Sequence, residues 1–432
     1  MTEAAVRVPG AISAEMAARF ANPASYAEPE KLHRDLAWMR VHAPVARIDA
    51  PGIDPFWLVT RHKDIMDIER QPDIFRNGDR STVLIGSPMR KAVEEAKGCP
   101  HLTRTMVNMD GTEHRAYRSL VQPWFMPGNV KQLTDDIRQI ARSHVDRMLA
   151  RDGACDFVAD VALHYPLHVI MSILGVPEQD EQRMLMLTQQ LFGARDPELS
   201  READAMADPA SALKVFGAVI ADFHGYFSAI TAKRRADPQD DLATVIANAV
   251  IDGKPIEEAA ANDFYMLVAT AGHDTTSAST AGAIWALAER PDLLTKVKAE
   301  PELIPQLVDE AIRWVTPVKH FMRSAASDHD VNGHAYKAGD WIMLSYMSAN
   351  RDENVFTDPF EFRLDRPVNK QIAFGYGPHL CVGQHLARLE MRILFEELLP
   401  RISAIEVAGE AAWTQSNFIS GPKRLPIRFT RS

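Results

Sequence analysis

The sequence predicts a mainly α-helical fold with small β-sheets, an α+β protein built around one long interior helix. Three observations carry that expectation. Residues 264–288 are apolar apart from the Tyr265 phenol, His273, Asp274 and a cluster of Thr270, Thr275, Thr276, Ser277, Ser279 and Thr280. Their length would suit a membrane span, but hydroxyls in the middle favour a helix buried through the centre of a soluble protein. Val45–Ile48 and 56–60 read as paired strands with Pro51-Gly52 turning between them. Much of the remaining chain has helical character: 26–42, 130–150, a strongly apolar 156–175 ending at Gly175-Val176-Pro177, and 212–235.

Composition narrows the function classes. The 432 residues suffice for several average domains or one large one, and 46% apolar residues permit a large core. A formal charge of −10 without a long basic run argues against a nucleic-acid surface. Cys99, Cys155 and Cys381 are odd in number and widely spaced, which fits a reducing cytosol rather than a disulfide framework. Residues 1–20 mix Glu3, Arg7, Glu15 and Arg19 among alanines, so neither export nor a membrane anchor is expected and a cytoplasmic location follows. No repeat and no clear linker appears.

In chain order, 81–100 is mixed in character. In 109–118, Asp110 or Thr112 can cap a helix on which His114 and Arg118, four apart, share one face. The acidic, alanine-rich, proline-punctuated 192–211 is a candidate lid or a long solvated loop. Pro238 to Leu242 is a turn-and-cap sequence. Within 264–288, the Thr275 hydroxyl can bond the Ala271 carbonyl four residues back, and Gly272 adds freedom, so the helix should bend there and open a groove. Glu310 and Arg313 lie on one helix face, which alone suggests only a salt bridge. Residues 318–323 lead into short strands, 404–407 alternates as a strand, and 417–419 with 426–429 looks like a small hairpin whose tip could enter a pocket.

The most informative stretch is 374–383, Phe-Gly-Tyr-Gly-Pro-His-Leu-Cys-Val-Gly. A lone cysteine is usually a small buried hydrophobe. Here three glycines and a proline force a tight loop, and Cys381 sits where that loop meets a helix start. Free N–H groups and the helix dipole there favour a thiolate, and a rigid loop without a zinc-type partner suits one axial bond to haem iron.

Phe374, Gly377, His379, Cys381 and Gly383 resemble the haem-binding signature of the cytochrome P450 superfamily. Ala271-Gly272-His273-Asp274-Thr275-Thr276 resembles its oxygen-binding motif, His114 with Arg118 its His-x-x-x-Arg, and Glu310 with Arg313 its Glu-x-x-Arg pair. The resemblance implies one domain over 1–432: a triangular helical prism around a buried haem b, with the long helix across its centre. Cys381 would be the iron ligand. His114, Arg118, Arg323 and His379 would hold the propionates, while Glu310, Arg313 and Arg366 would form a structural ion network. Ala271 and Gly272 would floor a substrate pocket closed by 85–101, the lid, Val318, Phe321 and Phe418.

The implied activity is monooxygenation with dioxygen as co-substrate. Cys381 would favour O–O cleavage, Thr275 would hold the reduced oxygen and a water, and Asp274 would relay protons. Electrons would come from an iron–sulfur ferredoxin and a nicotinamide-dependent reductase, docking on a basic patch to which Arg115 could contribute. Several stretches, 98–101, 165–169, 270–277, 317–323 and 342–356, resemble the α-terpineol monooxygenase group, so a small hydrophobic substrate of monoterpenoid or alkyl-arene size is expected. Larger polycyclic or steroidal substrates are the alternative. A peroxide-driven peroxygenase or a haem sensor are rival classes, and Asp274-Thr275 speaks against the first.

Overall fold

The computed structural model describes residues 12–194, 196, 198–199, 205–206 and 208–432. The helices that position the site are α1 (His62–Glu69), α2 (Gly111–Val121), α3 (His164–Leu174), α4 (Pro209–Ala236), α5 (Glu258–Ala271), α6 (Asp274–Glu289), α7 (Ile304–Val315) and α8 (Gln384–Leu398). α7 shows the usual reason for such a helix, an apolar stripe that needs cover. On α7 the stripe is Ile304, Leu307, Val308, Ala311, Ile312 and Val315, recurring at helical spacing and buried against α6 and α8. The close approach of α6 and α7 depends on Gly282, where a Cβ would meet Val315 Cγ2 at 2.2 Å.

One five-stranded sheet flanks the helices, in the order β1 (Val45–Ile48), β2 (Phe56–Val59), β5 (Trp341–Ser345), β4 (His320–Ala325), β3 (Phe75–Arg76). β1 and β2 pair antiparallel, as the Pro51-Gly52 turn predicts, and β5 joins β2 in parallel. β4 carries Phe321 and Arg323 to the edge of the central cavity. The main core lies among the helices, and a second apolar cluster of Phe20, Leu36, Met39, Phe56 and Trp341 backs the sheet.

Four expectations change. The helix over 264–288 begins at Glu258 and is two helices, α5 and α6, interrupted at Gly272 and His273. The interruption is held from both sides: Thr275 Oγ1 donates to the Ala271 carbonyl at 3.1 Å, and the buried His273 ring reaches the Leu163 carbonyl at 2.7 Å. Asp110 stands at the N-cap of α2, yet its carboxylate makes no cap bond and instead takes the Asn77 and Gly78 amides at 3.0 and 2.8 Å. Residues 130–150 divide at Leu133 into Pro127–Gln132 and Thr134–Leu149.

The C-terminal hairpin joins Ala412–Trp413 to Pro422–Arg424, with 417–419 at its tip, while Pro426–Arg431 pairs with Ile402–Val407 and Ala154–Asp156. Short-range alternation could not reveal that the last strand completes a sheet with residues so distant in sequence. Residues 81–100, mixed in character, contain a helix, Ser87–Lys97. Part of the 192–211 lid lies outside the described residues. Among the described residues α4 alone is long and apolar enough to cross a membrane, and it packs against α5, Leu242–Ala247 and Ser87–Lys97.

Candidate active site

The cysteine loop is tied down from three directions. The Cys381 amide donates to the Phe374 carbonyl at 2.9 Å, and Asn350 Oδ1 receives the Ile372 amide at 2.8 Å. Arg388 lies over the Phe374 ring at 4.5 Å while bonding Asp309 at 2.8 Å. Gly377 has φ +67°, and a Cβ there would meet the Glu69 carbonyl oxygen at 2.3 Å, so the loop seats directly on the end of α1.

Behind the loop lies the predicted ion network. Glu310 and Arg313, both fully buried, meet through two bonds of 2.7 Å. Arg366 Nε reaches Glu310 at 3.0 Å. Arg313 also donates to the carbonyls of Asn350, Pro359 and Glu361, three points on the segment that leads to the cysteine loop. Pairing of this quality offsets the desolvation of each charge.

Cys381 opens onto a central cavity of about 230 Å³. Cys381 is exposed by surface area and is among the residues that line that cavity. Burial pushes its thiol above the ordinary value, against the Gly383 and Gln384 amides and the charges of Arg118 and Arg388. The helix-start donors expected from the sequence are present, but desolvation outweighs them. The same cavity is lined by Ala271, Gly272 and Thr275 at the break between α5 and α6, and Met106, Val107, Phe125, Ile170, Leu267 and Val268 extend the apolar wall.

His114, Arg118, Arg323 and His379 line the same cavity. The His114 and His379 rings lie with centroids 4.0 Å apart, tilted by 31°. Burial lowers both, His379 to about 2, with Arg323 adding repulsion, so these imidazoles act as neutral donors. Burial also lowers Arg118, whose guanidinium makes no hydrogen bond among the described residues. A thiol on a rigid loop, two arginines, two neutral histidines and apolar walls are the donor set for a flat, apolar macrocycle with one open metal position and two carboxylates. The residues present therefore fit haem.

Val318 and Phe321 line the cavity. Phe418 does not: it lies behind Phe321, ring centroids 5.5 Å apart, and also faces His320 and Phe192. Residues 85–101 do not line it either. The apolar face of Ser87–Lys97, Met89 and Val93, packs on Ala212, and Met106 and Val107 supply the wall instead.

Asp274 and Thr275 are adjacent yet open on different spaces. Thr275 faces the central cavity, whereas Asp274 faces a separate cavity of about 60 Å³ with Gln189, Ser277, Ser420 and Lys423. Burial raises the Asp274 carboxyl, and the neighbouring His273 at 3.3 Å lowers it; its Oδ2 has no partner among the described residues.

Four polar groups went unnoticed in the sequence. Asn77 presents an unpaired buried Oδ1 at the cavity. Glu390 on α8 lines the cavity with an unpaired Oε2, and burial drives it far above the carboxylate range despite Thr276. Glu69 and Tyr346 meet Arg323 from behind. For Glu390 the signal was available: an acid on the apolar face of α8, nine residues after Cys381.

Comparison with known proteins agrees with this geometry. Residues 56–423 match the family profile of Cytochrome P450. Cytochrome P450-terp of a Pseudomonas species is 45% identical over 411 residues, covering 95% of this chain and 96% of that protein. A steroid C26-monooxygenase of Mycolicibacterium smegmatis is 32% identical over 397 residues, covering 91% and 92%. The crystal structure of CYP108D1 from Novosphingobium aromaticivorans superposes with a TM-score of 0.90 at 44% identity, covering 98% of this chain and all of that one. The chain belongs to the cytochrome P450 family and has its fold. It is a P450 monooxygenase, from a family that uses haem and dioxygen.

Proposed function

We propose that this P450 works as one domain, with haem b on Cys381, to hydroxylate small hydrophobic molecules of monoterpenoid or alkyl-arene size. The observation that carries the reading is one apolar cavity lined both by Cys381 and by the break at Ala271, Gly272 and Thr275. When bound, haem supplies dioxygen activation at a thiolate-ligated iron. The chain supplies the rest. His114, Arg118, Arg323 and His379 hold the propionates. Thr275 keeps a hydroxyl at the reacting side, and Asp274 takes protons from the smaller cavity and passes them toward Thr275. That the two residues face two separate cavities supports a relay which admits protons without admitting bulk water.

Similarity to Cytochrome P450-terp favours a terpineol-like alcohol. Binding rests mostly on apolar burial, at roughly 25 cal/mol per Å². Electrons come from a ferredoxin with a nicotinamide-dependent reductase. Arg115 on α2 and Lys131 on Pro127–Gln132 are exposed, and the latter helix packs on α8 beside the cysteine loop, which supports docking there.

The reduced protein with carbon monoxide should show the red-shifted Soret band of thiolate ligation, and Cys381→His should abolish it; retention of that band would refute the assignment. Turnover with ferredoxin and dioxygen, but not with hydrogen peroxide alone, separates the monooxygenase from a peroxygenase or a sensor. Titration with α-terpineol, a cymene, a polycyclic arene and a steroid should give spin-state shifts for the small ligands, with affinities within about one to two orders of magnitude, or ~1.4–2.8 kcal/mol. A steroid binding tightly while small terpenes give no shift would overturn the substrate reading.

A further inference from the structure

Arg323 already has a carboxylate partner. Its Nη2 donates to Glu69 Oε1 at 2.9 Å, the Tyr346 hydroxyl donates to the same oxygen at 2.6 Å, and Nη1 is spent on the Met322 carbonyl. Glu69 ends α1 and is 4% exposed; the Tyr376 amide of the cysteine loop also approaches its carboxyl, and among the described residues its second oxygen makes no full hydrogen bond. Nothing about Glu69 belongs to the haem signature. It sits behind the cavity wall, where Arg323 and Tyr346 are the residues that show.

The charges do not close once a dicarboxylate enters. Arg118 and Arg323 are the cations that line the cavity, while His114 and His379 are held neutral by burial. Two propionates would match two guanidinium groups, and Glu69 would then be one buried anion too many. Like charges sharing a buried site drive a proton onto one of them. The groups around the Glu69 carboxyl are Arg323 from β4, Tyr346 from the helix Tyr346–Ala349 and the Tyr376 backbone amide of the cysteine loop. On its own helix Asp64 turns to Asn332, and the neighbouring Arg70 turns outward to Asp67 and Tyr376.

We propose that Glu69 is a positioning residue that competes with a haem propionate for Arg323, so that the protein takes up a proton on Glu69 as it takes up haem. The inference rests on the haem reading above. Without haem, Glu69 holds Arg323 and keeps the cavity edge formed. With haem, protonated Glu69 keeps the Tyr346 contact while Arg323 turns its charge to the propionate. Burial already raises Glu69 to about 7, against Arg323, Tyr346 and the Tyr376 amide, so the proton is available near neutrality. Retention of haem therefore weakens as pH rises.

The test is haem transfer from the holoenzyme to excess apomyoglobin across pH 6.5–8.5, in wild type and Glu69→Gln. The wild-type rate of haem loss, divided by that of the variant, should rise with pH by up to about tenfold per unit, the slope of one linked proton. His114 and His379 are common to both proteins and cancel in the ratio. A second readout is the proton count when the haem-free chain is loaded near pH 8 in weak buffer. Wild type should release up to about one proton per haem fewer than Glu69→Gln. Equal counts or a flat ratio overturn the proposal. Should Glu69→Gln not fold, Tyr346→Phe removes a donor to the carboxylate and should move the pH profile of haem loss upward; an unmoved profile is equally fatal. Absence of a thiolate-type carbon monoxide band in wild type would instead sink the haem reading.

Discussion

Thr275 and Asp274 invite separate predictions because they face separate spaces. Thr275→Ala removes a hydroxyl whose present partner is the Ala271 carbonyl, without changing the cavity's apolar wall. Substrate affinity should stay nearly constant while reductant is diverted to hydrogen peroxide, read as the ratio of product to reductant consumed; an unchanged ratio counts against the role. Asp274→Asn removes the ionisable group between the two cavities, so turnover should slow while substrate affinity holds. Arg118→Ala removes a charged donor with no competing partner among the described residues, at on the order of 1.5–3 kcal/mol for a charge-assisted bond. Faster haem loss than wild type is the expected result, and equal occupancy would contradict it. These side chains were legible because each belongs to a spaced motif. Glu69, Tyr346 and Asn77 were not, since residues 69, 323 and 346 come together only when β4 pairs with β5 and α1 docks on the cysteine loop.

At the level of elements, the helix break and the loop carry the function, and sequence revealed their chemistry better than their geometry. The Thr275–Ala271 bond was expected to bend one helix. The buried His273 ring, held by a carbonyl from the far side of the core, instead ends one helix and starts another. That contact is tertiary and has no local signature. The loop's glycines were legible as a group, but not that Gly377 rests on the α1 terminus. Gly377→Ala combines a positive φ with a backbone clash at 2.3 Å. The left-handed conformation alone costs about 1–2 kcal/mol, and the clash adds to it. This variant should fold with a lowered melting temperature and incorporate little haem; wild-type haem content would show that the loop can shift freely. The C-terminal hairpin departs from the expectation for a simpler reason: its strands pair with Ala412–Trp413 and, for the last strand, with Ile402–Val407 and Ala154–Asp156.

Over the whole molecule, Lys319 joins parts distant in sequence. Its ammonium donates to the Ser416 carbonyl at 2.8 Å and to the Ile419 carbonyl, and lies 5.4 Å from the Tyr26 ring centroid. It thus fastens the C-terminal tip to the start of β4 and to the N-terminal region, with no carboxylate among its bonding partners. Burial lowers it from 10.5 to about 7. A lysine depressed in the folded state binds fewer protons there than when unfolded, so its contribution to stability is present above about 10.5 and is lost as pH falls toward 7. Lys319→Met removes that linkage while keeping the apolar stem. The stability of wild type relative to Lys319→Met should therefore rise between pH 7 and 10, by up to a few kcal/mol in order of magnitude. In the haem-free chain Glu69 acts in the adjoining window with the opposite sign. It is raised from 4.5 to about 7, so stability is present below 4.5 and is lost as pH climbs toward 7. Denaturant titrations at pH 5, 7 and 9.5 on wild type, Glu69→Gln and Lys319→Met separate the two. A wild-type profile parallel to Lys319→Met from pH 7 to 9.5 would mean that the clasp opens, hydrates the ammonium, and does not hold the C-terminal tip.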